Sequence, residues 1–129
     1  MKAIFHSMQP LGKTAFRLLW FTFLIGLGCQ VITGPLDDLR KKAEGGDAQA
    51  QLVLAERYDA GIGVSKDSTE AAKWYLKAAE QGLVEAQYNR GVMYDKGEGV
   101  QKDLAMAFHW FSAAAEQGDP AAQNWVGWA

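Results

Sequence analysis

The chain has few of the residues that build a chemical site. Its 129 residues contain one cysteine, Cys29, and two histidines, of which only His109 lies beyond the first thirty residues. A single cysteine excludes an internal disulfide, and no Ser/His/Asp or Cys/His set is available. A lone outward histidine without Cys, Asp or Glu around it indicates a surface residue rather than a metal ligand. We therefore expect no catalytic, cofactor-binding or metal-binding residue, and no enzyme.

The chain also lacks a basic stripe. All 15 acidic residues but only ten of the 13 basic residues follow Cys29, so that part carries a net charge of −5. This balance argues against nucleic acid as a partner, because phosphate binding needs clustered Lys and Arg. It also gives little attraction to anionic lipid.

One long apolar run is present, and it is short for a membrane span. Lys2, Lys13 and Arg17 precede an uncharged stretch over residues 18–32, against the roughly 20 residues that a spanning helix needs. A basic flank, an apolar stretch and then small residues indicate a secretory signal. We assign residues 1–34 to a leader, cleaved or kept as an anchor, that starts at Met1 or Met8. The protein is then exported, to the periplasm or beyond.

Cys29 follows Gly28, where a bacterial lipoprotein is cut and acylated, although Gly26 stands where a larger aliphatic residue is usual. Lipidation of Cys29 and an incidental cysteine removed with the signal remain alternatives. A membrane link is expected only through such a lipid or a retained leader.

What the chain does have is repetition. Residues 43–78 recur 36 positions later as residues 79–114, with 15 identities, and a third copy over residues 115–129 is incomplete. A fixed period of this length is typical of a solenoid, in which each unit buries its apolar face against its neighbours. We assign residues 35–129 to one repeat domain.

Each copy contains two helical patterns after a first short helix over residues 36–44. The leading helices are predicted over residues 48–60 and 84–96, and the trailing helices over 68–81 and 104–117. Trailing helices carry an apolar stripe that includes Trp74 and Tyr75, then Trp110 and Phe111. Asp67 and Asp103 are suited to cap them. No alternating strand pattern occurs, so we predict an all-α solenoid of antiparallel helix pairs, preceded by the apolar leader helix.

The leading helices carry a stripe of Gln51, Leu54, Ala55 and Tyr58, matched in the second copy by Gln87, Arg90, Gly91 and Tyr94. Small Ala55 and Gly91 predict close approach of a neighbouring backbone. Arg90 interrupts the apolar column, and we expect its stem to pack while its head reaches water.

These motifs resemble the Sel-one-like repeat family, which is related to the tetratricopeptide repeats. The matching motifs of the first copy are Ala48-Gln49-Ala50-Gln51, Ala55, Tyr58, Gly61-Ile62-Gly63-Val64, Lys66-Asp67, Ala71, Trp74-Tyr75 and Ala78-Ala79-Glu80-Gln81-Gly82. The second copy repeats them through Gly118. The resemblance implies a right-handed stack of helix pairs that binds protein or peptide on its concave side, as an adaptor or scaffold, here in the bacterial envelope.

Partner contacts are predicted on the leading helices, opposite the packed stripe. The candidates are Val53, Glu56, Ala60, Asn89, Val92, Lys96, Trp125 and Trp128. At these positions the residues differ between the copies, whereas the residues of the packed stripe recur. The alternative is that these are ordinary solvated helix positions. Trp125 and Trp128 either form an exposed interface patch or fold onto Trp110 and Phe111. The two Gly-x-Gly loops lack the Gly-Lys-Ser/Thr of a phosphate cradle.

Two further functions stay open. Some exported, cysteine-rich relatives are linked to β-lactam binding or hydrolysis, but they carry a cysteine pair in each repeat, which is missing here. A remnant without independent function is the other alternative, since about three repeats are usual in a stable array. A homodimer through the C-terminal repeat is expected if the array gains stability by pairing.

Overall fold

The structure is a computed structural model that describes residues 34–127 of the chain. All regular elements within that range are helices. Helix α1 covers residues 34–44 and is followed by α2 (Ala48–Ala60), α3 (Ser68–Glu80), α4 (Val84–Lys96), α5 (Leu104–Glu116) and α6 (Pro120–Trp125). The all-α prediction is confirmed, and the trailing helices α3 and α5 end one residue earlier than expected.

The leader prediction, with Cys29, falls on residues outside the described range, as does Trp128. From Asp38 onward the described chain forms one compact unit. Among the helices of the described part, none combines the length and the apolar character that a membrane crossing requires.

Capping groups set the helix ends as predicted. Asp67 Oδ1 accepts from the backbone N–H of Glu70 at 3.0 Å, and Asp103 begins α5 in the same way. Helices α2 and α4 both end at a glycine in the left-handed region, Gly61 at φ 70° and Gly97 at φ 72°. A residue with a Cβ costs about 1 kcal/mol or more there. Helices α2 to α5 are 13 residues long each, so the two copies match element by element.

Each helix packs mainly against its neighbours in sequence: α2 on α3, α3 on α4, α4 on α5 and α5 on α6. This pattern is that of a solenoid. Trp74 and Trp110 are 7% and 8% exposed, and Ala71 and Ala107 beside them are fully buried. The two indoles therefore occupy equivalent places in successive helix pairs, as the period predicts.

Glutamine side chains join one helix pair to the next. Gln51 Nε2 donates to the Ala43 carbonyl in the interior, while its Oε1 accepts from Gln81 Nε2 at 2.8 Å. Gln87 and Gln117 make the same pair of contacts one copy later, again at 2.8 Å between the two amides. Buried amides are stable only when hydrogen-bonded. The bond from Gln87 to the Ala79 carbonyl therefore holds the two helix pairs in register, while the amide–amide contacts join the two helices of one pair.

Arg90 does not behave as expected from the sequence. Its side chain is 6% exposed, and the guanidinium donates to the Ala72 carbonyl at 3.1 Å and to the Tyr94 hydroxyl at 3.0 Å. The group also lies 4.7 Å from the centre of the Tyr94 ring. The prediction that its head reaches water is wrong, because α3 and the Tyr94 ring enclose the head and supply acceptors within the protein.

Candidate protein-interaction surface

The leading helices α2 and α4 have a second face, opposite their buried stripe. We call it the leading-helix surface and define it by the predicted columns Val53, Glu56 and Ala60 on α2 and Asn89, Val92 and Lys96 on α4. The last residue of each column, Ala60 and Lys96, is exposed, and the other four are half-buried. Neighbouring helices thus shelter the middle of this surface. Four of the predicted contact residues lie in that sheltered part.

The second copy covers part of its own surface with apolar side chains. Val92 packs against the buried cluster of α5 that contains Phe111. Trp125 on α6 lies with its ring centre 4.3 Å from that of Phe111, and remains 38% exposed. Trp125 therefore combines the two alternatives predicted for it: it folds onto Phe111 and still presents a surface.

Phe111 is buried and packs closely against Gly91. A Cβ at Gly91 would lie 2.8 Å from the ring of Phe111, closer than real Cβ atoms approach. Tyr88 stands on the other side, with ring centres 5.4 Å apart. The close approach predicted at Gly91 is thus real, but an aromatic ring makes it rather than a neighbouring backbone.

Tyr75 occupies the place of Phe111 in the first copy, 36 residues earlier. It is 3% exposed. Asn89 on α4 is the counterpart of Trp125, the residue that lies on Phe111. The hydroxyls of Tyr58 and Tyr94 accept from Arg40 and Arg90.

The Tyr75 hydroxyl makes none of the hydrogen bonds found among the described residues. It is also not one of their fully enclosed, unpartnered atoms, which are Trp74 Nε1, Arg90 Nε and Trp110 Nε1. The ring of Tyr75 is therefore buried while its oxygen is not fully enclosed.

Three carboxylates influence the titration of Tyr75. Burial raises the pKa of Tyr75, and the charges of Asp59, Glu56 and Glu85 raise it further. Burial also raises the pKa of Glu56, and Glu85 adds to the effect. We call Glu56, Asp59 and Glu85 the acidic group. Within residues 34–127 the salt bridge is Lys73–Glu70, so no described cation neutralises the acidic group by direct contact.

A cleft of about 500 Å³ adjoins the acidic group through Glu85. Its walls include Val84 and Tyr88 on α4 and Ala121 on α6, and Asp119 lies at its edge. Apolar walls with a few acidic groups at the rim suit a side chain that is itself apolar and has a cationic neighbour.

Metal binding does not fit this arrangement. Among residues 34–127, no three His, Cys, Asp or Glu side chains come together as a metal site would require. His109 is exposed on α5, as predicted from the sequence.

Sequence reasoning missed three of these residues. It placed Tyr75 only in the packed stripe, and it left Asp59 and Glu85 out of the outward columns. One signal was available: the two copies differ at this aromatic position by a single hydroxyl, Tyr75 against Phe111. A hydroxyl retained in an otherwise apolar column indicates that its end is not enclosed.

Comparison with known proteins supports the repeat assignment. The Sel1 repeat model matches residues 48–83 and 84–119, which is more than half of the chain. The chain is 47% identical over 43 residues to the secretory immunoglobulin A-binding protein EsiB of Escherichia coli O6:H1. That match covers 33% of this chain and 9% of EsiB.

Three solved structures share the fold. One is a protective antigen of uropathogenic Escherichia coli strains with an SLR fold, with a TM-score of 0.71 and 46% identity over 74% of this chain and 21% of that one. A Sel1 repeat protein from Oxalobacter formigenes has a TM-score of 0.63 and 42% identity over 65% and 35%. Cysteine rich protein B of Helicobacter pylori has a TM-score of 0.64 and 28% identity over 67% and 65%.

The chain thus spans from a tenth to about two thirds of the length of these relatives. The matched residues include both helix pairs and the capped loops between them. The chain belongs to the Sel1 repeat family.

Proposed function

We propose that the chain is an exported adaptor that holds a protein or peptide on its leading-helix surface, in the periplasm or outside the cell. Sel1 repeat proteins are in general scaffolds for protein interactions. The observation that carries the proposal is the contrast between the two faces of α2 and α4. The stripe with Gln51 and Gln87 is used in packing. The opposite columns are half-buried except at Ala60 and Lys96, and the side chains of Glu56 and Asn89 make none of the hydrogen bonds found among the described residues.

Asn89 stands near the centre of this surface, on the sheltered part of α4. An amide can donate to and accept from the backbone of an extended peptide. Val53, one copy earlier in the same column, supplies apolar contact area beside it. This pairing of an amide with sheltered apolar area suits a peptide segment better than a small molecule.

The export proposal is supported by the basic flank and apolar run before Cys29. The test uses the full chain with a C-terminal tag, produced in a bacterium and followed by cell fractionation. We expect it in the envelope or medium. Mass spectrometry of its first residue distinguishes a cleaved signal, a lipid on Cys29 and a retained anchor. Full-length protein found only in the cytoplasm would refute export.

The binding proposal is tested by crosslinking in living cells, followed by affinity capture and mass spectrometry. The variants are Asn89→Ala, on the leading-helix surface, and Lys73→Ala, an exposed position on α3. We expect the captured partner to be lost with Asn89→Ala and kept with Lys73→Ala. Equal capture of the partner by the unchanged protein and by both variants contradicts the proposed surface.

Self-association is a second candidate interaction. Leu104 and Phe108 on α5 are 56% and 54% exposed, whereas their counterparts Ser68 and Ala72 are covered by the following copy, through Gly99 and Arg90. A second molecule can cover Leu104 and Phe108 in the same way. Sedimentation velocity at several concentrations tests this candidate: a dimer abolished by Leu104→Ser with Phe108→Ser supports it, and a monomer at every concentration contradicts it.

A further inference from the structure

Helix α6 repeats the hydrogen-bonding groups with which α2 and α4 each receive a trailing helix. We infer that this part of the stack binds a helix of a partner protein, and that the helix ends in a glutamine whose amide donates to the Gly118 carbonyl and to Gln123 Oε1. Gln123 belongs to the column of Gln51 and Gln87, opposite the leading-helix surface. The inference therefore concerns a second site and does not depend on that surface.

The first support is that the chain already contains two occupied sites of this kind. Gln81, the residue that follows α3, donates from Nε2 to the Gly46 carbonyl at 3.0 Å and to Gln51 Oε1 at 2.8 Å. Gln117, which follows α5, makes the same pair of bonds one copy later, at 3.1 and 2.8 Å. A glycine carbonyl and a glutamine oxygen thus form one acceptor pair, and a glutamine amide at the end of a trailing helix fills it.

The second support is that the third acceptor pair is already held in place. Gln123 Nε2 donates to the Ala115 carbonyl at 3.1 Å, just as Gln51 and Gln87 donate to the carbonyl eight residues before them. This bond uses the donor end of the amide and leaves Oε1 as the acceptor. No residue within 34–127 donates to Gln123 Oε1 or to the Gly118 carbonyl.

Exposure separates the third site from the other two. Gln51 and Gln87 are 4% and 7% exposed, because α3 and α5 pack on the helices that carry them, whereas Gln123 is half-buried. Water can reach a half-buried oxygen, so its exposure alone does not define a ligand. The occupant is defined by the two filled copies, and the proposed interface continues those of α2 with α3 and of α4 with α5.

The helices that fill the first two sites also define the chemistry of the partner. Both α3 and α5 carry an aromatic pair and then two alanines, and both are followed by Gln-Gly. The two alanines are buried in each copy, so we expect small residues directly before the glutamine of the partner. Helix α6 has six residues, which is about 9 Å at 1.5 Å per residue. Because the packed length is short, the glutamine should contribute a large share of the affinity.

The test measures binding of a fluorescent, amidated peptide of residues 68–82 to the full-length purified protein by fluorescence anisotropy. This peptide contains α3 and its terminal glutamine. In a second peptide, Gln81→Glu keeps the shape but removes the donor and places a carboxylate against two acceptors. We expect the second peptide to bind at least tenfold more weakly, which corresponds to about 1.4 kcal/mol.

Variants of the protein locate the effect. Gln123→Ala should reduce the preference for the glutamine peptide at least threefold, whereas Gln49→Ala, at an exposed glutamine on α2, should keep it. Gln123→Lys should reverse the preference, because an ammonium group attracts the glutamate of the second peptide. A reversal also excludes a difference that arises only from the helicity of the two free peptides. Circular dichroism confirms that each variant is folded.

Several results would overturn the inference: no binding of the glutamine peptide, equal affinity of the two peptides, or an unchanged preference in Gln123→Ala. None of them bears on the leading-helix surface, which Asn89→Ala tests. Sedimentation velocity of the protein alone detects a different occupant. A dimer that Gln123→Ala dissociates would show that a second copy fills the site, and would overturn its assignment to a partner protein.

Discussion

The two helix pairs share one framework but present different surfaces. In the first pair, the aromatic between the leading helices is Tyr75, whose pKa is raised by burial and by the charges of Asp59, Glu56 and Glu85. In the second pair the same place holds Phe111, which Trp125 covers at 4.3 Å. One pair therefore offers polar, acidic contacts, while the other offers aromatic area. Repetition preserves what lies between the helices and leaves the outward side free to differ.

The largest expected effects test whether the two helix pairs have the same buried interior. Trp74→Ala and Trp110→Ala each remove a side chain that is more than nine-tenths buried. We expect each to lower the free energy of unfolding by about 3–5 kcal/mol, as for other buried aromatics truncated to alanine. Urea unfolding followed by circular dichroism measures the loss. A loss near zero at one position only would show that the two indoles are not equivalent.

Arg90 is a difference between the buried interiors of the two helix pairs, because the equivalent residue of the first pair is Leu54. Arg90→Ala should destabilise the protein by about 2–4 kcal/mol, since it removes a buried stem and two hydrogen bonds. Arg90→Leu should be neutral or stabilising by about 1 kcal/mol, because apolar packing replaces a buried charge.

The unfolding midpoint in urea again measures the effect at Arg90. Leu54→Met is the control, because it shows how much stability the equivalent position of the first pair loses when one apolar side chain replaces another of similar volume. If Arg90→Leu loses as much stability as Arg90→Ala, the guanidinium is a structural requirement of the second pair. The two pairs would then differ in their interior as well as on their surface.

Exchanging the two aromatics sharpens the contrast between the surfaces. Phe111→Tyr places a hydroxyl under Trp125, and an unsatisfied buried hydroxyl costs about 1–3 kcal/mol. Tyr75→Phe should change stability by less than about 0.5 kcal/mol, because that hydroxyl makes no hydrogen bond found among the described residues. Equal effects of the two exchanges in thermal unfolding would contradict the different surroundings assigned to Tyr75 and Phe111.

The smallest effect concerns pH. Burial and Glu85 raise the pKa of Glu56, so the folded state binds the proton more tightly than the unfolded chain. The resulting stability is present below the unfolded pKa and is lost as pH rises through the folded one. Glu56→Gln should therefore stabilise at pH 7 by less than about 0.5 kcal/mol, given its partial exposure. This gain in stability should vanish near pH 4. Any change in stability caused by the control substitution Glu98→Gln should not depend on pH in this way.

Most of the fold could be predicted because its signals are local. Asp67 and Asp103 cap helices, Gly61 and Gly97 end them, and the period places every element twice. Arg90 shows where this reasoning stops. Its surroundings come from α3 and from its own Tyr94, and neither contact is visible in the spacing of residues along α4.

The surface could be predicted only in part for a related reason. Helical periodicity assigns a side chain to one face, so Tyr75 was placed in the packed stripe, which is correct for its ring. Its hydroxyl is not fully enclosed, and that depends on three-dimensional packing. Glu85 and Asp59 raise the pKa of Tyr75 although they lie outside the columns that periodicity defines. The roles of Val53, Asn89, Lys96 and the other candidates in binding stay predictions.

The glutamine contacts have a consequence for how such proteins change over generations. Every 36-residue unit brings along both the glutamine amide that reaches backward and the backbone carbonyl that accepts from the glutamine of the next unit. Copying or deleting a whole unit therefore leaves no donor or acceptor stranded at the junction. Arrays of this kind can lengthen or shorten in single genetic steps, and each new unit is immediately free to acquire its own outward residues.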